Sequence, residues 1–287
     1  MRTFSHPGYK RFLLSVGCLL SIHFTALFFL TLFRLVFFFS ANYDFPDQEH
    51  VGFMSIWPAF IRGVWFDNVI ACYILLIPLV AVSISALFNY YGKILWNVTC
   101  IFFSLFYGIV LLVTAANIPY FQYFFKIINS SVFNWFGYMN TTAGMVFGET
   151  SYYPPLIGFL LTLVLFIWLM RRLIRHFQRL LNTKNPSVFW LDRIYIFLTA
   201  GICIGLCLFG IRGRTGYNPI KVSAAYYCTD PFLNQLGISP VFNLLSSTLD
   251  DSRKENRYLH LMPENEALEN TRHYLNRPGI EGISPIA

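Results

Sequence analysis

Long unbroken apolar runs dominate the chain up to about residue 210, and neither strand-like alternation nor a one-sided helical stripe interrupts them. Five of the runs, at about 12–39, 68–89, 94–116, 153–170 and 190–210, each supply the roughly 20 helical residues, at about 1.5 Å rise apiece, that a hydrocarbon core about 30 Å thick requires. The first run is too long for a signal-peptide apolar region, lacks a small-residue cleavage site and precedes four more spans, so it is expected to remain as an anchor. Segment 117–150 is long for a connection yet stays aromatic through Tyr120, Phe121, Tyr123, Phe124, Phe125, Phe133, Trp135 and Phe136. It predicts one or two helices lying in the membrane interface, with Pro119 near a helix start and Gly137 and Gly144 as breaks.

From residue 211 the apolar runs stop and polar residues intersperse. Asn218–Pro219 is an N-cap and first-turn signal that predicts an amphipathic helix to about Leu236, and Ser239–Pro240 repeats the signal before Val241, Phe242, Leu244 and Leu245. A further helix is predicted from Pro263 to about Leu275, with Glu264 and Glu266 in its first turn and Arg272 and His273 in its last, both favourable to the helix dipole. Such short helices hold too little apolar surface for a core of their own. The pattern therefore predicts an all-α polytopic membrane protein: a five-span transmembrane domain over residues 1–210, interfacial helices, and a C-terminal helical connector over residues 211–287.

Composition supports a chain solvated mainly by lipid. Of the 287 residues 56% are hydrophobic and only 12% charged, against about 25% in an ordinary soluble domain. A net charge of +7 would first suggest nucleic acid, but its distribution excludes that. Residues 1–210 hold 13 basic and 6 acidic residues while the tail holds 8 of each, so the excess belongs to the membrane half. Arg2, Lys10, Arg11, Lys93, Arg171, Arg172, Arg175, Arg179 and Lys184 flank one set of span ends. The opposite loops, 40–67 and 117–152, carry only Arg62 and Lys126 beside Asp44, Asp47, Glu49, Asp67 and Glu149. The positive-inside bias then predicts a multi-pass membrane protein with a cytoplasmic N-terminus and an extracytoplasmic C-terminal segment.

Six cysteines, Cys18, Cys72, Cys100, Cys203, Cys207 and Cys228, show no C-x-x-C spacing and mostly lie in apolar runs, where a thiol packs as a small hydrophobe. No phosphate-binding glycine loop, dinucleotide fingerprint, G-x-S-x-G or H-E-x-x-H occurs. Asp230, Asp250, Asp251, His260 and His273 resemble metal ligands in type, but nothing in the pattern converges them. Ionisable groups within spans are costly in lipid and so mark candidate sites. His23 and Arg34 are eleven residues apart and share one face of the first span at about 100° per residue, either lining a polar path or serving structure, with Arg34 extending to the headgroups. Arg62 and Asp67, around Gly63 at the mouth of span two, are candidates for contact with a lipid headgroup or a basic partner. Asp192 and Arg193 read as an interfacial pair or a topology signal.

Phe60-Ile61-Arg62-Gly63-Val64-Trp65-Phe66-Asp67 before span two has a G-x-x-x-D pattern. With it go Asn117-Ile118-Pro119-Tyr120-Phe121 after span three, and Asn218–Pro219 through Phe242-Asn243-Leu244-Leu245-Ser246 in the tail. Together with the five-span layout, these resemble the N-terminal membrane domain of bacterial lipoteichoic-acid synthase-like proteins, the phosphoglycerol transferases and sulfatase-like enzymes of the alkaline phosphatase superfamily. Asn117 stands where that pattern has an acid.

The resemblance implies a metal-dependent enzyme of the bacterial plasma membrane that attacks a phosphodiester or sulfate ester, commonly moving glycerol phosphate from phosphatidylglycerol. Its Thr or Ser nucleophile and its divalent metal, usually manganese, would belong to a domain beyond the connector that opens with an N-V-x-x-[IVL]-x-x-E-[ST] run. No such run lies between Leu261 and Ala287, so no catalytic, cofactor or metal residue is expected in this chain. It is expected to be the anchor and lipid-proximal part of such an enzyme, as a truncated product, a fragment or a split protein, with the catalytic domain in cis or in trans. The alternative is a small polytopic protein acting as a transporter subunit or lipid-binding partner, in which His23, Arg34 or Asp67 matters for the solute.

Overall fold

The structure, a computed structural model, describes residues 6–41, 53–138, 144, 148, 150–181, 190–253 and 262–275. Among these there is no β-strand, and five helices are long and apolar enough to cross a membrane: α1 (Pro7–Ser40), α2 (Phe53–Leu87), α3 (Lys93–Phe124), α4 (Tyr153–Leu181) and α5 (Trp190–Arg212). Shorter helices follow as α6 (Pro231–Leu236), α7 (Pro240–Ser252) and α8 (Glu264–Leu275), with 3-10 turns at Ser130–Tyr138, Thr150–Tyr152 and Val222–Ala225. The protein is an all-α polytopic membrane protein.

α1 packs against each of the other four long helices, and α2 pairs closely with α5 and α3 with α4. The buried side chains are accordingly concentrated in α1 and α2, whose most apolar windows are 56% and 61% buried. In α4 and α5 the corresponding windows are only 11% and 17% buried although equally apolar, which is the distribution expected of helices that face hydrocarbon. Hydroxyls within the spans turn back onto the carbonyl one turn earlier, as in Ser83 to Leu79 (2.7 Å) and Thr114 to Val110 (2.7 Å), so they remain bonded where no water is present.

The helices outrun the apolar stretches that predict them. α2 begins at Phe53, not near residue 68, and carries Arg62 and Asp67 inside its helical register. α3 continues through Pro119, which the sequence places at a new helix start, and ends at Phe125 in the left-handed conformation (φ 52°). Polar positions are tolerated in these extensions because neighbouring elements pair with them, a contact that periodicity does not report. The expected helix from Asn218 to Leu236 is also corrected. Gly213, at φ +71° and with room for no Cβ beside Ile220, closes α5. The Ile220 N–H then returns to the Arg212 carbonyl at 3.0 Å, while the Arg212 guanidinium holds the carbonyls of Gly216 and Tyr217. These bonds use the backbone groups a helix would need, and regular helix resumes only where Asp230 caps α6, accepting from the Leu233 N–H at 2.8 Å.

At the end of the bundle where α1 begins, Asp192 in the first turn of α5 is fully buried. It accepts from the His6 ring at 2.6 Å and from the Gly8 N–H at 3.2 Å, so its partner is the start of α1 and not Arg193. Arg11 donates to the last carbonyl of α4, Leu181, at 3.0 Å and lies 4.8 Å over the Tyr91 ring. Burial pushes the Tyr91 phenol up to about 12 against the opposing pull of Arg11, so it stays neutral and presents its electron-rich face to the cation. Asp192→Ala should lower stability by about 1–3 kcal/mol, since two donors at the α1 start lose their acceptor. A detergent-micelle melting temperature unchanged from wild type would refute this.

Contacts divide the chain into two units, Met1–Ser247 and Thr248–Ala287. Residues 213–247 thus belong to the unit that contains the five long helices. In the second unit α8 is amphipathic and mostly exposed, with Arg272 and His273 in its last turn as its sequence predicts.

Candidate functional site

Arg34 lies in the penultimate turns of α1, and its guanidinium is turned into the protein, leaving the residue 5% exposed. It does not extend to the headgroups. Its Nη1 meets Asp67 Oδ2 of α2 at 2.8 Å, and Asp67 is itself 2% exposed. The passage between the helices exists because residue 63 is glycine: a Cβ there would stand 2.2 Å from the Arg34 guanidinium carbon. Gly63 and Asp67 are one helical turn apart on the same face of α2, so the first admits the guanidinium and the second neutralises it. This is the physical content of the G-x-x-x-D spacing.

The guanidinium has a third engagement. Arg34 Nε donates to the carbonyl of Leu236, the last residue of α6, at 3.1 Å. Helices end with carbonyls that lack an intrahelical partner, and a basic side chain is a suitable cap for them. One buried cation therefore ties together α1, α2 and the segment after α5. A small cavity of about 10 Å³, lined by Arg34, Thr114, Asn117 and Leu236 among others, lies beside it; that is about the space of a single water.

The neighbouring candidates serve the same junction. Arg62 stacks 4.4 Å over the Tyr227 ring and bonds the Pro58 carbonyl, and the Tyr227 hydroxyl donates to the Ser55 carbonyl. Burial raises the Tyr227 phenol, which keeps it a neutral donor. Asn234 accepts from the Tyr227 and Cys228 N–H groups at 2.9 and 3.3 Å and donates to the Cys228 carbonyl at 2.7 Å, fixing the approach to α6. His23 lies elsewhere along α1. Its Nε2 is 3.0 Å from Asn68 Oδ1, and it makes no contact with the Arg34 pair.

The turn that follows α3 is held from both sides. Asn117, where an acid was expected, accepts from the Ile128 N–H at 3.0 Å. Gln235 of α6 accepts from the Ile127 N–H at 3.1 Å and donates to the Phe125 carbonyl at 3.2 Å. Asn243 of α7 donates to the Ile128 carbonyl at 2.9 Å, and Ser247 accepts from the Ser130 N–H at 2.9 Å. An irregular turn at the end of a membrane span has backbone groups to satisfy, and the post-span segment supplies the partners. Apolar contact completes the dock: Phe232, 1% exposed, is surrounded by Phe37, Phe121 and Phe38 at ring-centroid distances of 5.7, 5.6 and 6.2 Å, and Phe242 packs on Phe66 at 4.8 Å.

Sequence reasoning named Arg34, Arg62 and Asp67 but missed Asn234, Gln235 and Phe232, whose residue types are ordinary in a polar loop. The Asp230–Pro231 pair, an N-cap followed by a first-turn proline, was the available signal for α6. Among the described residues no cluster of three or more His, Cys, Asp or Glu could hold a metal. His260 lies outside the described residues. Comparison of the chain with protein families, with curated proteins and with solved structures finds no match.

Proposed function

We propose that this chain is the membrane anchor and lipid-proximal part of a lipoteichoic-acid synthase-like phosphoglycerol transferase or sulfatase-like enzyme, without catalysis of its own. The observation that carries it is the buried dock just described. Residues 226–247 do not trail from the last span but are fastened to the ends of α1, α2 and α3 by a buried ion pair, side-chain-to-backbone bonds and an aromatic plug. Such a fastening costs conformational entropy and two desolvated charges, and a transporter gains nothing evident from it. An anchor that must hold a hydrolytic or transfer domain at a set height above its lipid substrate does. The nine basic residues that flank the opposite span ends support an extracytoplasmic placement for the dock. Manganese or another divalent metal would be held by the domain being anchored, supplied in cis or in trans.

Two measurements test this. In a Cys228→Ser background, Tyr217→Cys, at a site 96% exposed, should react with a membrane-impermeant maleimide added to intact cells, and Arg179→Cys only after permeabilisation; the reverse pattern overturns the orientation. The purified chain given manganese and either a phosphodiester or an aryl sulfate should show no turnover. Clear turnover would mean that the chain carries a catalytic site and is not an anchor alone.

A further inference from the structure

α3 and α4 pack against each other, and towards the end where α3 finishes and α4 starts they enclose a cavity of about 790 Å³. Its α3 wall is shaped by small residues and a proline, Ala115, Ala116 and Pro119, and its α4 wall by Pro155, Leu156 and Phe159. Trp135 of the Ser130–Tyr138 turn closes over it, held against Tyr120 and Phe124 at centroid distances of 5.7 and 5.8 Å. Among the described residues none that lines it is charged. The hydroxyl of the lining residue Tyr120 is bonded to Asn129 and Ser131 at 3.4 and 3.3 Å. The size and lining suit a ligand that is apolar over most of its surface.

We propose that this cavity seats an acyl chain of a phospholipid drawn from the surrounding leaflet. The occupant follows from what adjoins the opening. The α4 wall runs without a break into Ile157, Leu160, Leu161 and Val164, which are 51–67% exposed on a helix of membrane-spanning length and therefore face hydrocarbon. A cavity with so apolar a described lining, opening there, is reached by lipid tails in preference to bulk water. Its position at the helix ends, among Tyr120, Tyr123 and Tyr152, is the level at which aromatic side chains meet the glycerol and headgroup layer, so a tail enters while its headgroup stays at the rim. The seat shares Ile128 with the turn that the dock holds, but nothing in it depends on what the dock anchors.

The test uses the full chain in vesicles of phosphatidylcholine and phosphatidylglycerol that contain a trace of phospholipid with a photoactivatable group on the acyl chain. Label should concentrate on peptides within 112–124 and 152–159. Ala116→Trp, which places a large ring in the cavity from an exposed position, should cut that labelling at least about fivefold while leaving label at the lipid-facing Leu206 and Phe209 of α5 unchanged. Leu156→Trp fills the space from the other wall and should do the same, which guards against a folding defect peculiar to one variant. Labelling no denser than on α5 and indifferent to both substitutions would mean ordinary boundary lipid and overturn the proposal. So would labelling by a photoactivatable free fatty acid alone, or crosslinks between two copies through this cavity. Loss of the seat would leave the maleimide pattern and the absence of turnover as they are, so the two proposals fail separately.

Discussion

Arg34→Ala will lower the stability of the folded chain by about 3–5 kcal/mol, because Asp67 is left as an uncompensated charge away from water. Asp67→Ala will do the same from the other side. Gly63→Ala should act in the same direction without removing a charge, since its Cβ would occupy the guanidinium position, 2.2 Å from the Arg34 Cζ. Combining Arg34→Met with Asp67→Leu should recover part of the loss, since apolar replacements of similar volume relieve the desolvation cost of both charges. A residue of about 1–3 kcal/mol should remain, because the Leu236 carbonyl still lacks its donor. Melting temperature in detergent micelles measures the stability. Chymotrypsin cleavage near Tyr227 and Phe232 reports whether residues 226–247 have come off. A loss below about 1 kcal/mol for Arg34→Ala would place the pair among ordinary exposed ion pairs and remove the basis of the dock.

Phe232→Ala will cost a similar amount, about 3–5 kcal/mol, by emptying a site enclosed by three other aromatic rings. The distinguishing result is local. The five long helices keep their own packing, so α6 and α7 should become susceptible to chymotrypsin while the cores of the spans stay protected. Phe209→Ala, at a ring 52% exposed on α5, is the matched control and should change neither melting nor cleavage. Cleavage of Phe232→Ala indistinguishable from wild type would show that the polar bonds alone hold the segment.

The legible part of this protein was the part whose energetics are local. A span is specified by its own length and apolarity, since lipid asks nothing more of a helix, and so five spans were countable from the chain. Helix α8 was likewise readable from its own proline, acids and bases. The ends of α2 and α3 were not. Arg62, Asp67 and Asn117 read as loop residues by polarity, and only partners brought from Tyr227, Arg34 and the turn at Ile128 make them tolerable within a helix.

The same division runs through the candidate site. By itself the sequence determined that Arg34 is costly where it stands, because a charge in an apolar run is unfavourable whatever surrounds it. It also showed the G-x-x-x-D spacing of Gly63 and Asp67. That Arg34 is the cation admitted past Gly63, that its Nε–H caps α6 more than two hundred residues later in the chain, and that Gln235 and Asn243 secure the turn after α3 were decided by the tertiary structure alone. The cost of an unpaired group is a property of the residue, whereas the identity of its partner depends on which helix ends the packing of α1 against α2 and α3 brings to one place.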